Sequence, residues 1–216
     1  MAGRELSIEQ CKIVIDKIYE MNEFDRINLA GGEPMLAPHL QEIINYVNEK
    51  GFACSLITNG SILSKKFIDE NVGKLSMIGI SIDSMNENIN KLIGRETITN
   101  IVELSKEIKN AGITLKINVC VNKYNLEEDF IPLLDSVQPD RLKLLQVMIT
   151  DIHKKKSSPN ITRTEFDGFC AKLMKFNPIC ENNQHMKKVY WIVDSEGYFG
   201  KDNLHSDYEG KRNLLS

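Results

Sequence analysis

The sequence predicts an α/β fold of parallel strands with covering helices, and three features carry that prediction. β-Rich runs recur at 26–30, 54–58, 77–82, 115–121 and 142–148, separated mostly by amphipathic stretches, which is the alternation of βαβ units. The stretches between them carry helix start and stop residues. The runs themselves alternate apolar with polar residues, whereas parallel strands covered on both faces read as continuous apolar runs. One face is therefore packed and the other wet, as in a barrel or half-barrel wide enough to hold a polar ligand. An open sheet with one exposed face would show the same alternation.

In chain order, Ser7 with Gln10 three residues on forms a capping box, and Ile8, Cys11, Val14, Ile15 and Ile18 follow at helical spacing. The first element is thus a helix over 7–21. No strand precedes it, so the chain is expected to begin inside its first βα repeat. The strand at 26–30 runs into Gly31-Gly32-Glu33-Pro34, where two glycines let the backbone turn sharply and approach a ligand. Pro38 is expected to open the second helix, and Gly51 and Gly112 sit where helices end. The second and third strands end in Thr58-Asn59-Gly60-Ser61 and Ser81-Ile82-Asp83-Ser84, which put small hydrogen-bonding groups at carboxyl ends of strands, where βα folds form their sites. The basic, serine-rich stretch 153–160 reads as a surface loop. Beyond it come a helix over 162–176, capped near Thr162 or Thr164, and a strand over 189–194, neither of which extends the alternation. A single domain is expected, with a barrel core at 1–150 and a C-terminal extension at 151–216 packed on it.

Composition narrows the function classes. With 216 residues, 42% hydrophobic and 26% charged, the chain has the makings of one large core. A net charge of −3 gives no general basic footprint for nucleic acid. No apolar run reaches the roughly 18 residues of a membrane span, and residues 1–10 lack the apolar stretch of a secretion signal, which predicts a cytoplasmic protein with reduced cysteines. The five cysteines, Cys11, Cys54, Cys120, Cys170 and Cys180, show no C-x-x-C spacing, so neither a disulfide framework nor a self-contained zinc site is indicated.

The wet faces carry the functional signal. Lys116, Asn118 and Cys120 alternate with Ile117, Val119 and Val121; Arg26, Asn28 and Ala30 alternate with Ile27 and Leu29; Gly79, Ser81 and Asp83 alternate with Ile78, Ile80 and Ile82. Arg26, Lys116, Arg141 and Lys143 all fall on strands. Like charges brought together cost energy unless an anion such as a phosphate neutralises them.

These residues resemble a known family. GGEP after a strand, with the TNGS and SIDS strand ends, is similar to the radical S-adenosylmethionine (SAM) enzymes. INLAGGEP, LITNGS, ISIDS followed by NKLIGR, LKINVCVNKYNLEED, RLKLLQ and ENNQHMKKVYWIVD, in that order, resemble viperin and its microbial relatives over nearly the whole chain. The resemblance implies a partial (βα)6 TIM-like barrel, here truncated at its first strand, holding a [4Fe-4S] cluster and SAM. It implies reductive cleavage of SAM to a 5′-deoxyadenosyl radical, hydrogen abstraction from the ribose of a nucleoside triphosphate, and loss of water to a 3′-deoxy-3′,4′-didehydro nucleotide that terminates viral RNA. It further implies an electron donor as partner. By motif position, Gly31, Gly32 and Glu33 would hold the SAM amino group, and Asn59, Ser81 and Arg95 its carboxylate and ribose. Arg26, Asn28, Lys116, Asn118, Arg141 and Lys143 would face the nucleotide, and Tyr190 falls near the reacting sugar. Ala30 stands where vertebrate viperin has serine, so one phosphate contact does not carry over.

The family's C-x-x-x-C-x-x-C, which follows its first strand, is absent from these 216 residues, and the family continues beyond the position of Ser216. Three thiolates hold three irons and leave the fourth open to SAM. The expectation is therefore a fragment or a late-start gene product of a SAM-dependent nucleotide dehydratase. A cluster-free SAM or nucleotide binder, and a radical SAM enzyme acting on a peptide, are the alternatives. As given, the chain should not assemble a catalytic cluster. Anaerobic reconstitution with iron and sulfide analysis checks this, and a near-stoichiometric, SAM-cleaving cluster would refute it.

Overall fold

The computed structural model describes residues 6–95, 100–148, 159–185, 190–202 and 208–216. Its first helix, α1 (Ile8–Met21), has the expected capping box: Ser7 Oγ accepts from Gln10 N at 3.3 Å, and Gln10 Oε1 accepts from Ser7 N at 2.9 Å. Then follow β1 (Arg26–Leu29), α2 (Leu40–Glu49), β2 (Ala53–Thr58), α3 (Lys65–Glu70), β3 (Leu75–Ser81), α4 (Glu87–Ile93), α5 (Ile101–Asn110), β4 (Thr114–Val121), α6 (Ile131–Val137) and β5 (Arg141–Gln146). All five strands of the expected alternation are present. The helix expected to open at Pro38 opens instead at Leu40, with His39 as its N-cap, after a separate 3-10 turn over Pro34–Leu36 capped by Glu33. Gly51 and Gly112 end α2 and α5 with φ of 82° and 71°, a left-handed conformation that costs glycine little.

The alternation does not stop where the sequence reading ended it. Helix α7 (Arg163–Lys172), capped by a Thr162–Glu165 box, leads to β6 (Ile179–Glu181), which pairs parallel to β5. Among the described residues the sheet thus has six parallel strands in the order β1-β2-β3-β4-β5-β6. β6 was missed because three residues around Cys180 are too short to show a periodicity. Of the stretch 153–160, residues 153–158 lie outside the described residues, as does Val189 of the expected strand 189–194.

The division between faces sets the architecture. Leu56, Ile78, Ile80, Leu115, Ile117, Val119 and Leu144 are fully buried in one core with Ile44 and Val47 of α2, Ile68 of α3, Ile108 of α5 and Leu134 of α6. Each such side chain contributes about 1.5–3 kcal/mol of transfer free energy. The alternate residues form the opposite face, which curls into an open half-barrel.

A small antiparallel sheet, β7 (Trp191–Val193), β8 (Tyr198–Asp202) and β9 (Tyr208–Asn213), completes the chain. It is seated at the β1 side. Trp191 stacks on Phe199 with ring centroids 4.8 Å apart, and both meet Phe24, just ahead of β1, edge-on. Lys17 on α1 donates to the Ser216 carbonyl at 3.0 Å. The residue before β7, Tyr190, reaches the other side of the half-barrel at β5 and β6. No described helix is long and apolar enough to cross a membrane.

Candidate active site

Backbone register assigns the residues of the inner face. Gly79 on β3 pairs with Lys116 on β4, which pairs with Arg141 on β5; Ser81 pairs with Asn118, and Asn118 with Lys143. Two strand residues correspond to roughly 7 Å, so the site has two levels. Lys116 and Arg141 lie toward the amino ends of the strands, and Asn118, Lys143 and Ser81 nearer the carboxyl ends.

At the carboxyl ends, the loop after β1 is fixed by Glu33. Its carboxylate accepts from Met35 N at 3.0 Å, Thr58 Oγ1 at 2.7 Å and Asn59 N at 2.7 Å, which stitches the β1 loop to the end of β2. Gly31, at φ 140°, and Gly32 stand open: a Cβ at either would meet nothing within 4 Å, so the backbone faces free space. Asn59, Ser81 and Arg95, which the sequence reading grouped, do line one small pocket, together with Asp83. Asp83 is the residue that reading left without a role. It is buried, accepts from Arg95 Nε at 2.7 Å and from Cys120 N at 2.9 Å, and so aims the guanidinium across the strand ends.

Deeper in the half-barrel the charges are positive. Lys116, Arg141 and Lys143 occupy adjacent strands, and the Lys116 ammonium is pushed down to about 8, first by burial and then by Lys143 and Arg141, with Glu181 opposing. Asn118 is buried, and its Oδ1 has no hydrogen-bond partner among the described residues. Gly79 makes room for it, since a Cβ there would lie 3.3 Å from Asn118 Nδ2 and 2.4 Å from Ile57 Cδ1. The other two expected residues lie apart on β1, where Arg26 Nη1 donates to Ser76 Oγ at 3.2 Å and Asn28 Oδ1 accepts from Ser55 Oγ at 2.9 Å. Tyr190 comes to Lys143 from outside the sheet, its hydroxyl accepting from Lys143 Nζ and donating to Glu181.

A family model for the radical SAM superfamily matches residues 1–137. The chain belongs to that superfamily. It is 34% identical over 205 residues to an S-adenosylmethionine-dependent nucleotide dehydratase of Flammeovirga pacifica, covering 90% of this chain and 70% of that protein. It is 31% identical over 201 residues to one from Thermoplasmatales archaeon (strain ISO4-H5), covering 85% and 72%. Against one from Lacinutrix mariniflava it is 35% identical over 187 residues, but spans only 39% of that longer protein. Native anSMEcpe with bound AdoMet and Kp18Cys peptide superposes with a TM-score of 0.73 at 13% identity, over 98% of this chain and 70% of that one. That likeness shows the shared half-barrel fold.

A radical SAM site implies SAM and a [4Fe-4S] cluster, and the chain fits them unequally. The open glycine backbone, the Glu33-fixed loop and the Asn59–Ser81–Arg95 pocket fit an amino-acid and ribose ligand at the strand ends. The cysteines do not fit a cluster. They sit on α1, β2, β4, α7 and β6, and burial pushes the Cys54 and Cys120 thiols up to about 12, away from the thiolate that iron needs. No group of three metal-binding side chains converges among the described residues.

Sequence reasoning missed Glu181, the one carboxylate that the strands of the half-barrel present to this cation cluster. ICENNQ carries no alternation to give it a face, and only its pairing with Lys143 reveals it.

Lys116 supplies a test of the charge cluster that is independent of any ligand. Its folded value, about 8, lies below the ordinary 10.5, so charging it costs stability below pH 8, and the cost is relieved as pH rises toward 10.5. After discounting for solvent screening, Lys116→Met should stabilise the protein by about 1–2 kcal/mol at neutral pH, and the gain should shrink near pH 10. Chemical denaturation of both proteins at the two pH values measures it.

Proposed function

We propose that the protein is a SAM-dependent nucleotide dehydratase acting on a nucleoside triphosphate. The observation that carries this reading is the row of Lys116, Arg141 and Lys143 across β4 and β5, in which burial and the two neighbouring cations push the Lys116 ammonium down, in a chain whose relatives are named nucleotide dehydratases. Such a row is costly until an anion of several negative charges enters, and a triphosphate matches it in charge and length. Arg26 on β1, bonded to Ser76 two strands away on β3, adds a fourth cation, and Asn28 a polar neighbour.

The two levels order the ligands. SAM is held at the strand ends by the Gly31-Gly32-Glu33 loop, Asn59, Ser81 and Arg95, and the phosphates lie deeper, which brings the ribose between them. Held there, SAM would be the source of a radical able to take a hydrogen atom from that ribose. That chemistry needs a [4Fe-4S] cluster, which the cysteines of this chain do not form, and an external donor would supply the electrons both for its reduction and for departure of the hydroxyl as water. The free Asn118 Oδ1 accepts a hydrogen bond from a sugar hydroxyl. Tyr190, its phenol raised above the ordinary value by burial, keeps its proton at neutral pH and is the catalytic donor to the departing hydroxyl. A product without a 3′-hydroxyl cannot be extended in RNA synthesis, which gives the activity an antiviral use.

Calorimetric titration with CTP, UTP, GTP and ATP tests the substrate class. Lys116→Ala should weaken triphosphate binding by about tenfold or more, reduce its salt sensitivity and leave SAM binding nearly intact. Wild-type affinity should fall as pH rises through about 8, where Lys116 loses its proton. Failure of all four nucleotides to bind overturns the assignment. For the SAM loop, Gly32→Val should lower SAM affinity without loss of stability, since the new side chain meets only open space; unchanged affinity would make this loop a plain turn.

A further inference from the structure

Glu181 is out of character for its surroundings. On the strands of the half-barrel the inner face presents Arg26, Lys116, Arg141 and Lys143, and Glu181 brings a negative charge among them. A carboxylate beside a polyphosphate site weakens polyphosphate binding, so its presence calls for another role. Its contacts supply one. Glu181 Oε2 lies 2.8 Å from Lys143 Nζ, and the Tyr190 hydroxyl donates to both carboxylate oxygens at 2.7 and 2.8 Å, while Lys143 donates to that hydroxyl and lies 4.8 Å from the centre of the Tyr190 ring. Lys143 and Glu181 are largely shielded from water, whereas Tyr190 is 39% exposed, on a segment outside the parallel sheet.

We propose that Glu181 is a positioning residue: its carboxylate latches the Tyr190 hydroxyl and the Lys143 ammonium together at the edge of the half-barrel, at the expense of anion affinity. This deepens the nucleotide reading and rests on it. Tyr190 arrives on the segment leading into β7, whose next residue, Trp191, is anchored to Phe24 on the far side. Without Glu181, only the Lys143 contact ties that hydroxyl, and an incoming phosphate competes for Lys143. With it, the tyrosine stays in place when Lys143 turns to the substrate.

Placement and affinity are then set against each other, which gives a signature that loss of structure would not produce. Glu181→Gln keeps the shape and a hydrogen-bond acceptor but removes the charge. It should tighten binding of inorganic tripolyphosphate by about tenfold, since a repelling charge is gone and Lys143 is freed. It should also shift the ionisation of Tyr190, followed by ultraviolet difference titration, to lower pH, because Glu181 favours the protonated phenol while Lys143 opposes it; Tyr190→Phe identifies the signal among the six tyrosines. Glu181→Asp retains the charge and should not tighten binding. Equal or weaker tripolyphosphate binding by a folded Glu181→Gln protein overturns the proposal, as does an unmoved Tyr190 titration. If wild type itself binds no tripolyphosphate, the nucleotide reading fails, and the Tyr190 titration alone decides whether Glu181 is a latch.

Discussion

Everything in this half-barrel depends on the period of two along its parallel strands. Residues such as Ile78, Ile80, Ile117, Val119 and Leu144 go to a core closed by helices, and the residue next to each is thereby committed to the opposite face. A slip of one residue in β4 would send Lys116 into that core and Ile117 into the lumen. The apolar face thus fixes the register, and the register places Lys116 beside Arg141 and Asn118 beside Lys143. The site is positioned by hydrophobic burial that none of its own residues supplies.

The cation cluster this creates is unfavourable in isolation. Lys116 shows it, its ammonium pushed down by burial and by two neighbouring cations, and the buried Asn118 oxygen left without a partner points the same way. A fold optimised for stability alone would fill those positions with apolar groups. An anion bound along this face, as proposed above, would relieve that cost.

The C-terminal segment turns an open sheet into a site with a defined edge. Trp191 and Phe199 pack on Phe24 at the β1 side, while Tyr190 is held by Lys143 and Glu181 at the β5 and β6 side. Adjacent residues of one segment therefore grip both sides of the half-barrel by different forces, aromatic packing at one and charge-assisted hydrogen bonding at the other. Aromatic contacts hold wherever water is excluded, but the polar grip responds to what else Lys143 can bind.

Much of this was legible in the amino-acid sequence because it rests on local rules. Strand alternation, the Ser7–Gln10 box, the ends of helices at Gly51 and Gly112 and the polar strand ends at Asn59 and Ser81 each follow from a few neighbouring residues, and their order along the chain placed the cations on one face. The resemblance to radical SAM enzymes rested on the same local strings. What depended on distant residues could not be read. β6 exists because β5 offers it an edge, not because three residues around Cys180 favour a strand, and Glu181 gains its partner only through that pairing. Asp83 acquires its meaning from Arg95 and from the backbone of Cys120, 37 residues away. Tyr190 meets Lys143 across 47 residues. The sequence determined which faces are wet and which charges lie on them, because side-chain direction alternates within each strand. Only the tertiary structure decided which of those charges meet, because that depends on contacts between strands and segments far apart in the chain.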